Sequence, residues 1–211
     1  MNLILMGAPG AGKGTQSERI SEKWNIPAIS TGDIFRSAIK EGTELGIQAK
    51  VYIDKGQLVA DEVAIAIIKE YLSSDSCKNG FILDGFPRSI PQAEALEAMG
   101  VKLDCVLSLE ATDEAIVTRM GGRRICSGCG ASYHVDHMKP KQENICDKCG
   151  ASLYIRIDDA AETVIKRLEI FHEQTEPLKS FYEERGLLKC VNGEGSVEET
   201  TALVYKALSE V

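Results

Sequence analysis

Nine residues near the N-terminus constrain this chain more than any others: Gly7-Ala8-Pro9-Gly10-Ala11-Gly12-Lys13-Gly14-Thr15. An apolar run, Leu3-Ile4-Leu5-Met6, precedes them, and Gln16-Ser17-Glu18-Arg19-Ile20 follows. The order reads as strand, glycine loop, helix. Glycines let backbone N–H groups turn inward around an anion, the helix N-terminus adds partial positive charge, and Lys13 adds a full one. The stretch is therefore a polyphosphate cradle. Its spacing satisfies the glycine-to-Gly-Lys part of a Walker A loop, but Gly14 stands where a Ser or Thr usually follows the lysine. The hydroxyl arrives one residue later at Thr15, which argues against a direct bond from Thr15 to Mg²⁺.

Around this loop the chain alternates strands and helices. A helix is predicted over about 16–25 and a short strand over 26–29. Ser30 with Asp33 three residues on suits a helix N-terminus, with Arg36 one turn inside it. The polar helical stretch from Ala38 to Lys55, with Gly42 and Gly46 as breaks, suggests a small helical insertion. Asp61 reads as the cap of a helix whose Val63, Ala64, Ile67, Ile68 and Tyr71 form an apolar stripe. Phe81-Ile82-Leu83-Asp84-Gly85-Phe86-Pro87-Arg88 is an apolar strand ending in a carboxylate, stopped by glycine and proline. In a parallel sheet Asp84 then lies at a strand's carboxyl end beside the phosphate loop, where it serves Mg²⁺ or its waters, or else caps the following turn. Arg88 is within reach of the same crevice, and Gln92 follows one helical turn further on. Asp104 to Leu109 is a further strand. Asp113 opens a helix on which Arg119 and Arg123, at i and i+4, share a face, flanking an anion or simply facing solvent. Another helix carries Arg167 and is ended or kinked at Pro177. A last strand over 187–191 precedes a helix from about Ser196. This alternation argues for βαβ units and a parallel sheet with right-handed crossovers, in one main domain with small insertions.

One segment breaks the pattern. Cys126-Ser127-Gly128-Cys129-Gly130 and Cys146-Asp147-Lys148-Cys149-Gly150 form C-x₂-C-x₁₆-C-x₂-C, the spacing of a tetrahedral zinc site with a glycine after each knuckle. Four thiolates leave no open coordination position, so the role expected of the metal is structural, folding a region too small to make its own core. His134 and His137 lie nearby and are expected to be exposed, outside a shell that four cysteines complete. A zinc ribbon can also bind nucleic acid, but here six basic residues face three acidic ones between Arg123 and Arg156. A Zn(Cys)₄ centre offsets about two of those positive charges, and aromatics to stack bases are few. The whole chain carries a net charge of -8, which also argues against a dedicated nucleic-acid binder. No apolar run approaches the roughly 18 residues of a membrane span. Met1-Asn2-Leu3 enters the first strand without a basic leader, so a cytoplasmic location is expected.

In order and at matching spacing, the phosphate loop, Ser30-Thr31-Gly32-Asp33, Asp84-Gly85-Phe86-Pro87-Arg88, Gly122-Arg123-Arg124, and Arg156 followed by Asp158-Asp159 resemble the bacterial adenylate kinases with a zinc-stabilised lid. The resemblance covers nearly the full length, and Gly14 is itself the family's form. It implies an α/β, P-loop NTPase-like parallel sheet flanked by helices, with a core over 1–29, 60–121 and 160–211, a monophosphate-binding insertion over 30–59 and a lid over 122–159. The implied activity is reversible transfer from Mg-ATP to AMP, giving two ADP, by a monomer. By position, Gly10, Ala11, Gly12, Lys13, Gly14 and Thr15 hold the ATP phosphates, with Arg119, Arg123, Ser132, Tyr133 and Gly195 completing the ATP site. Thr31, Arg36, Gln57, Leu58, Val59, Gly85, Phe86, Pro87, Arg88 and Gln92 hold AMP, and Arg156 and Arg167 gather the two phosphate groups. The metal ligands are Cys126, Cys129, Cys146 and Cys149.

The chemistry of these residue types agrees. Transfer to another phosphate needs no strong base, because the acceptor is already an oxyanion; it needs in-line positioning, charge neutralisation and exclusion of water. Lys13 with Arg36, Arg88, Arg123, Arg156 and Arg167 supplies the charge, and Asp84 completes the candidate catalytic set. Other readings of the same loop are a switch or regulatory ATPase, for which an Asn-Lys-x-Asp guanine reader is missing, a zinc-ribbon binding module, and a monophosphate kinase with another acceptor base. Thr31 and Gln92 fit the adenine pattern of the resemblance.

Overall fold

The computed structural model describes residues 1–211. β1 (Asn2–Gly7) leads through the glycine loop into α1 (Lys13–Trp24), and β2 (Ala28–Ser30) leads into α2 (Thr31–Glu41) and α3 (Glu44–Ile53). After α4 (Asp61–Leu72), β3 (Phe81–Asp84), α5 (Ile90–Ala98) and β4 (Cys105–Glu110) complete the centre of the sheet. α6 (Asp113–Gly122) then delivers the chain into a separate antiparallel unit of β5 (Arg123–Cys126), β6 (Ser132–His134) and β7 (Leu153–Tyr154). The chain returns through α7 (Ala161–Ile170), a π-helical turn over Phe171–Thr175, α8 (Leu178–Glu183), β8 (Leu188–Asn192) and α9 (Val197–Leu208).

The main sheet is parallel throughout, in the order β2-β3-β1-β4-β8. Its central strand is apolar and buried from Leu3 to Met6 because both faces are covered there. Ile4 and Met6 enter one cluster with residues of α2 to α5 and α8, while Leu3 and Leu5 enter another with Ile20 of α1 and Val204 and Leu208 of α9. A third cluster joins Ala8 of the glycine loop to Ile116 and Met120 of α6 and to Val164 and Leu168 of α7. The loop is thus seated on the two helices that lead into and out of the small antiparallel unit.

The local signals are met where the hydrogen-bonding partner is a near neighbour. Ser30 caps α2 by accepting from the Asp33 N–H, and Ser196 and Glu199 form a reciprocal capping box at α9. Four expectations change. α1 begins at Lys13 rather than near Gln16, because Gly12 takes the left-handed conformation at its N-cap and the loop turns directly into helix. Asp61 is not a cap: Ala60 holds that position, and the Asp61 carboxylate faces α5. Gly46 does not break the chain but lies inside α3, where a Cβ would come within 2.1 Å of the Ala38 carbonyl oxygen. Arg119 and Arg123 do not share a helical face, since α6 ends at Gly122 and Arg123 is already extended.

Candidate active site and lid metal centre

The glycine loop closes over the carboxyl ends of β1 and β3, the position at which open α/β sheets take their ligands. Gly10 has φ +88°, and a Cβ there would lie 2.9 Å from Met120 Cγ and Sδ, so only glycine permits both the turn and the seat on α6. Lys13 Nζ donates to the Gly7 and Ala8 carbonyls at 2.7 and 2.9 Å, folding back across the loop. Burial lowers its pKa to about 8, an effect partly offset by Asp84 and reinforced by Arg88, Arg167 and Arg123. Asp84 lies at the end of β3 with its carboxylate beside Gly14, and burial raises its pKa against the pull of Lys13 and Arg88. A buried acid that gains by ionising next to a cation suits a metal ion or its water ligands.

From this loop a cleft runs between the main sheet and α2–α3. Thr31, Arg36, Gln57, Leu58, Val59, Gly85, Pro87, Arg88, Gln92 and Arg167 line it together with Lys13. The arginines are held by neighbouring acceptors. Arg36 pairs with Asp33 at 2.6 Å; Arg88 Nε donates to the Gly85 carbonyl at 2.7 Å; Arg123 grips the fully buried Asp159 carboxylate with two nitrogens. Arg167 donates to Asp158 Oδ2 at 2.9 Å, and Arg156 lies 3.6 Å from Asp33 with its Nε buried and unpartnered. Burial lowers the pKa of Arg156 and Arg167 to about 10, which leaves both charged at neutral pH. Six cations therefore converge on four carboxylates, those of Asp33, Asp84, Asp158 and Asp159, and the excess positive charge together with the orphaned Arg156 Nε is matched by an anion carrying several oxygens.

Beyond the loop, Arg119 Nη1 donates to the Gly193 carbonyl at 2.7 Å, and Gly193 packs on the Ala11 carbonyl in the same turn that carries Gly195. The antiparallel unit is folded down over the cleft. Lys148 pairs with Glu18 of α1, Lys40 of α2 reaches the Ser127 carbonyl at 3.4 Å, and Arg156 reaches Asp33.

Four residues singled out in the sequence lie outside the cleft lining. Phe86 is 1% exposed with its ring in the main core, so only its backbone faces the cleft region. Tyr133 is buried in the lid, its hydroxyl 3.4 Å from Cys146 Sγ and accepting from the Asp147 N–H. Ser132 sits half-buried beside it on β6. His134 is half-buried rather than exposed; Nδ1 accepts from the N–H groups of Asp136 and His137, and the ring lies across Gly122. Three further contributors had no role assigned from the sequence. Asp158 and Asp159 hold Arg167 and Arg123, and Thr175 Oγ1 donates to the Arg88 carbonyl at 2.8 Å from 87 residues away. An acidic pair two residues after an arginine is visible in the chain, but its partners are not.

In the lid, the four cysteine sulfurs lie within 4.8 Å of one another, with Cys126–Cys149 at 3.3 Å and Cys129–Cys146 at 3.6 Å. A disulfide needs about 2.05 Å, whereas the edge of a ZnS₄ tetrahedron with bonds of about 2.3 Å is roughly 3.8 Å. N–H groups of Gly128 and Cys129 point at Cys126 Sγ, and that of Lys148 points at Cys146 Sγ, as thiolates require. The donor set fits a thiophilic tetrahedral ion. Around it the lid's apolar cluster holds only Cys126, Tyr133, Cys146 and Leu153, with Ile125 also buried.

The comparisons with known proteins agree with this geometry. The family model for adenylate kinase matches residues 5–187. The adenylate kinase of Acetivibrio thermocellus is 57% identical over 215 residues, spanning 100% of this chain and 99% of that protein. Those of Caldicellulosiruptor bescii (56%, 99% of both chains) and Bacillus cytotoxicus (55%, 96% of this chain and 95% of that one) are similar over nearly the same length.

Proposed function

Because the chain belongs to the adenylate kinase family, and so is a nucleoside monophosphate kinase that moves a phosphoryl group reversibly between Mg-ATP and AMP to give two ADP, we propose the following assignment of its residues. The observation that carries it is the convergence of Lys13, Arg36, Arg88 and Arg167 on one cleft that begins at the phosphate loop, with Arg123 joined to Arg167 through Asp159 and Arg156 joined to Arg36 through Asp33. Gly10 to Thr15 wrap the ATP phosphates with backbone N–H groups, with Lys13 swinging from the Gly7 and Ala8 carbonyls onto them. Arg119, Arg123, Ser132, the backbone of Tyr133 and Gly195 complete the donor site. Thr31, Arg36, Gln57, Leu58, Val59, Gly85 to Arg88 and Gln92 take AMP, and Arg156 and Arg167 close on the phosphates in transit.

Asp84 is the carboxylate that would hold the Mg²⁺ accompanying ATP, or its waters, and the ion would supply charge neutralisation at the transferring phosphoryl group. The remaining work belongs to the chain. Arginines parked on Asp33, Asp158 and Asp159 are pre-oriented and exchange a carboxylate for phosphate oxygens with little reorganisation. Residues 30–59 and 122–159 form the acceptor insertion and the lid, and their closure over residues 1–29, 60–121 and 160–211 keeps water from competing with AMP for the phosphoryl group. Zinc on the four cysteines keeps the lid a single rigid body. No helix is long and apolar enough to cross a membrane. A monomeric, cytoplasmic enzyme with no nucleic-acid partner completes the reading.

The test is a coupled assay with Mg-ATP and each of AMP, GMP, CMP and UMP. Fast ADP formation with AMP alone is expected; activity with another monophosphate overturns the acceptor assignment, and ATP hydrolysis without transfer overturns the two-site assignment.

The lowered pKa of Lys13 predicts a pH effect with a definite sign. In the free enzyme the ammonium is lost as pH rises through about 8, so kcat/KM for ATP falls across that range. Bound phosphates favour the charged form, so the corresponding fall in kcat is displaced to higher pH. A kcat/KM profile flat to pH 9.5 would remove Lys13 from the binding step.

A further inference from the structure

Gln92 is 2% exposed and lines the cleft, and its side-chain amide has both ends committed. Its Oε1 accepts from the Arg88 backbone N–H at 2.8 Å, and its Nε2 donates to Asp61 Oδ1 at 2.6 Å. The other oxygen of Asp61 accepts from Ser89 Oγ at 3.0 Å, and Ser89 in turn caps α5 by accepting from the Gln92 N–H. Asp61 is the first residue of α4 and lies two positions after Val59, where the α2–α3 insertion rejoins the main sheet.

The chemistry of the partners determines which way the amide points. A backbone N–H only donates and an ionised carboxylate only accepts. Turning the amide over would set Oε1 against the Asp61 carboxylate and Nε2 against the Arg88 N–H, losing two buried hydrogen bonds and creating two repulsive contacts. After these bonds are made, Gln92 retains one N–H and one lone pair, in an order it cannot reverse. An unclamped amide has no such order, because it can rotate to match either a donor–acceptor or an acceptor–donor edge.

We propose that Asp61 is a specificity-determining positioning residue, which fixes the polarity of the Gln92 amide and so makes the acceptor site accept adenine and reject guanine. The inference rests on the assignment of Gln92 to the AMP base. Adenine presents a ring acceptor, N1, beside an amino donor; guanine presents a ring donor, N1–H, beside a carbonyl acceptor. In one base pose, the two purines demand opposite orders from the amide. With the order fixed, guanine is left with a donor facing a donor and an acceptor facing an acceptor, and such mismatches discriminate far more strongly than apolar contacts do. Asp61 touches no base itself.

The experiment is Asp61→Asn, which preserves size and shape but offers a donor as well as an acceptor, so that only the Arg88 N–H still opposes reversal of the Gln92 amide. The ratio of kcat/KM for AMP to that for GMP is expected to fall on the order of tenfold, through a raised KM for AMP and improved use of GMP. KM for ATP and the melting temperature should barely change, which a general structural defect would not allow. Gln92→Leu is measured beside it. Should Gln92→Leu leave KM for AMP unaltered, the assignment of Gln92 to the base fails and takes the inference with it. Should Gln92→Leu weaken AMP while Asp61→Asn keeps the AMP-to-GMP ratio of the parent, the assignment stands and the role of Asp61 is overturned. If Asp61→Asn does not fold, Asp61→Ser, whose hydroxyl also both donates and accepts, is read in the same way.

Discussion

Lys13→Ala is expected to lower turnover on the order of 10³-fold or more while leaving the protein at least as stable as its parent. The first half follows from the reaction. Phosphoryl transfer offers little covalent chemistry for a protein to do, so rate enhancement comes from charges placed where the transition state develops its own, and single donors so placed are worth about 10²- to 10³-fold or more. Lys13 is the one cation on the phosphate loop itself, and its Nζ already sits across the loop's mouth on the Gly7 and Ala8 carbonyls.

The second half follows from the same residue's titration. Its folded pKa, about 8, lies below the ordinary lysine value, so at neutral pH folding works against the charge that the unfolded chain carries freely. Removing the ammonium relieves that opposition; Gly7 lines the cleft, and the Ala8 carbonyl still accepts from the Ala11 N–H at 3.1 Å. Activity and thermal unfolding measured on one preparation decide the matter. A variant that is both inactive and destabilised would mean that Lys13 holds the loop together and is not a charge stored for the substrate.

The second large effect concerns the lid. Stripping the metal from the four cysteines, with its loss verified, should lower the melting temperature by about 10 °C or more, because the lid's buried cluster is only Cys126, Tyr133, Cys146 and Leu153. Three short strands joined by 5 to 18 residues of connection cannot hold themselves together with so little apolar burial. The clusters that hold the main sheet contain no lid residue. Amide exchange should therefore accelerate over 123–156 and remain slow in β1, β3 and β4. Kinetically, the arginines that the lid carries, Arg123 and Arg156, lose their fixed positions, so turnover falls even at saturating ATP. An unchanged melting curve after verified metal loss would show that the lid folds without it.

These two effects draw on differently readable parts of the chain. The phosphate loop, the Ser30 cap, the start of α9 near Ser196, the cysteine knuckles and the alternation of apolar runs were legible because each depends on partners a few residues away. Backbone geometry alone fixes those relations: a cap bonds three residues ahead, a knuckle turns on its own N–H groups, and a buried parallel strand must be apolar on both faces. The acid at the end of β3 was readable in the same way, as the last residue of an apolar run.

What the sequence could not determine is which of two local options a side chain takes when a distant group competes for it. Asp61 had the spacing of a helix cap, but the Gln92 amide, 31 residues on, claims its carboxylate. Arg123 had helical spacing from Arg119, but α6 ends at Gly122 and Asp159, 36 residues on, takes the guanidinium into a buried pair. Gly46 looked like a break until the Ala38 carbonyl occupied the space its side chain would need. Phe86 and Tyr133 sit within functional stretches and yet turn into the two cores, since a buried ring is worth more than a ring left at the edge of a polar cleft. The chain by itself therefore determined the fold class, the phosphate loop and the metal knuckles, all short-range consequences of backbone geometry. Only the tertiary structure decided the partners of each charge, because burial makes an unpaired charge or amide so costly that the nearest complementary group in space overrides the nearest in sequence.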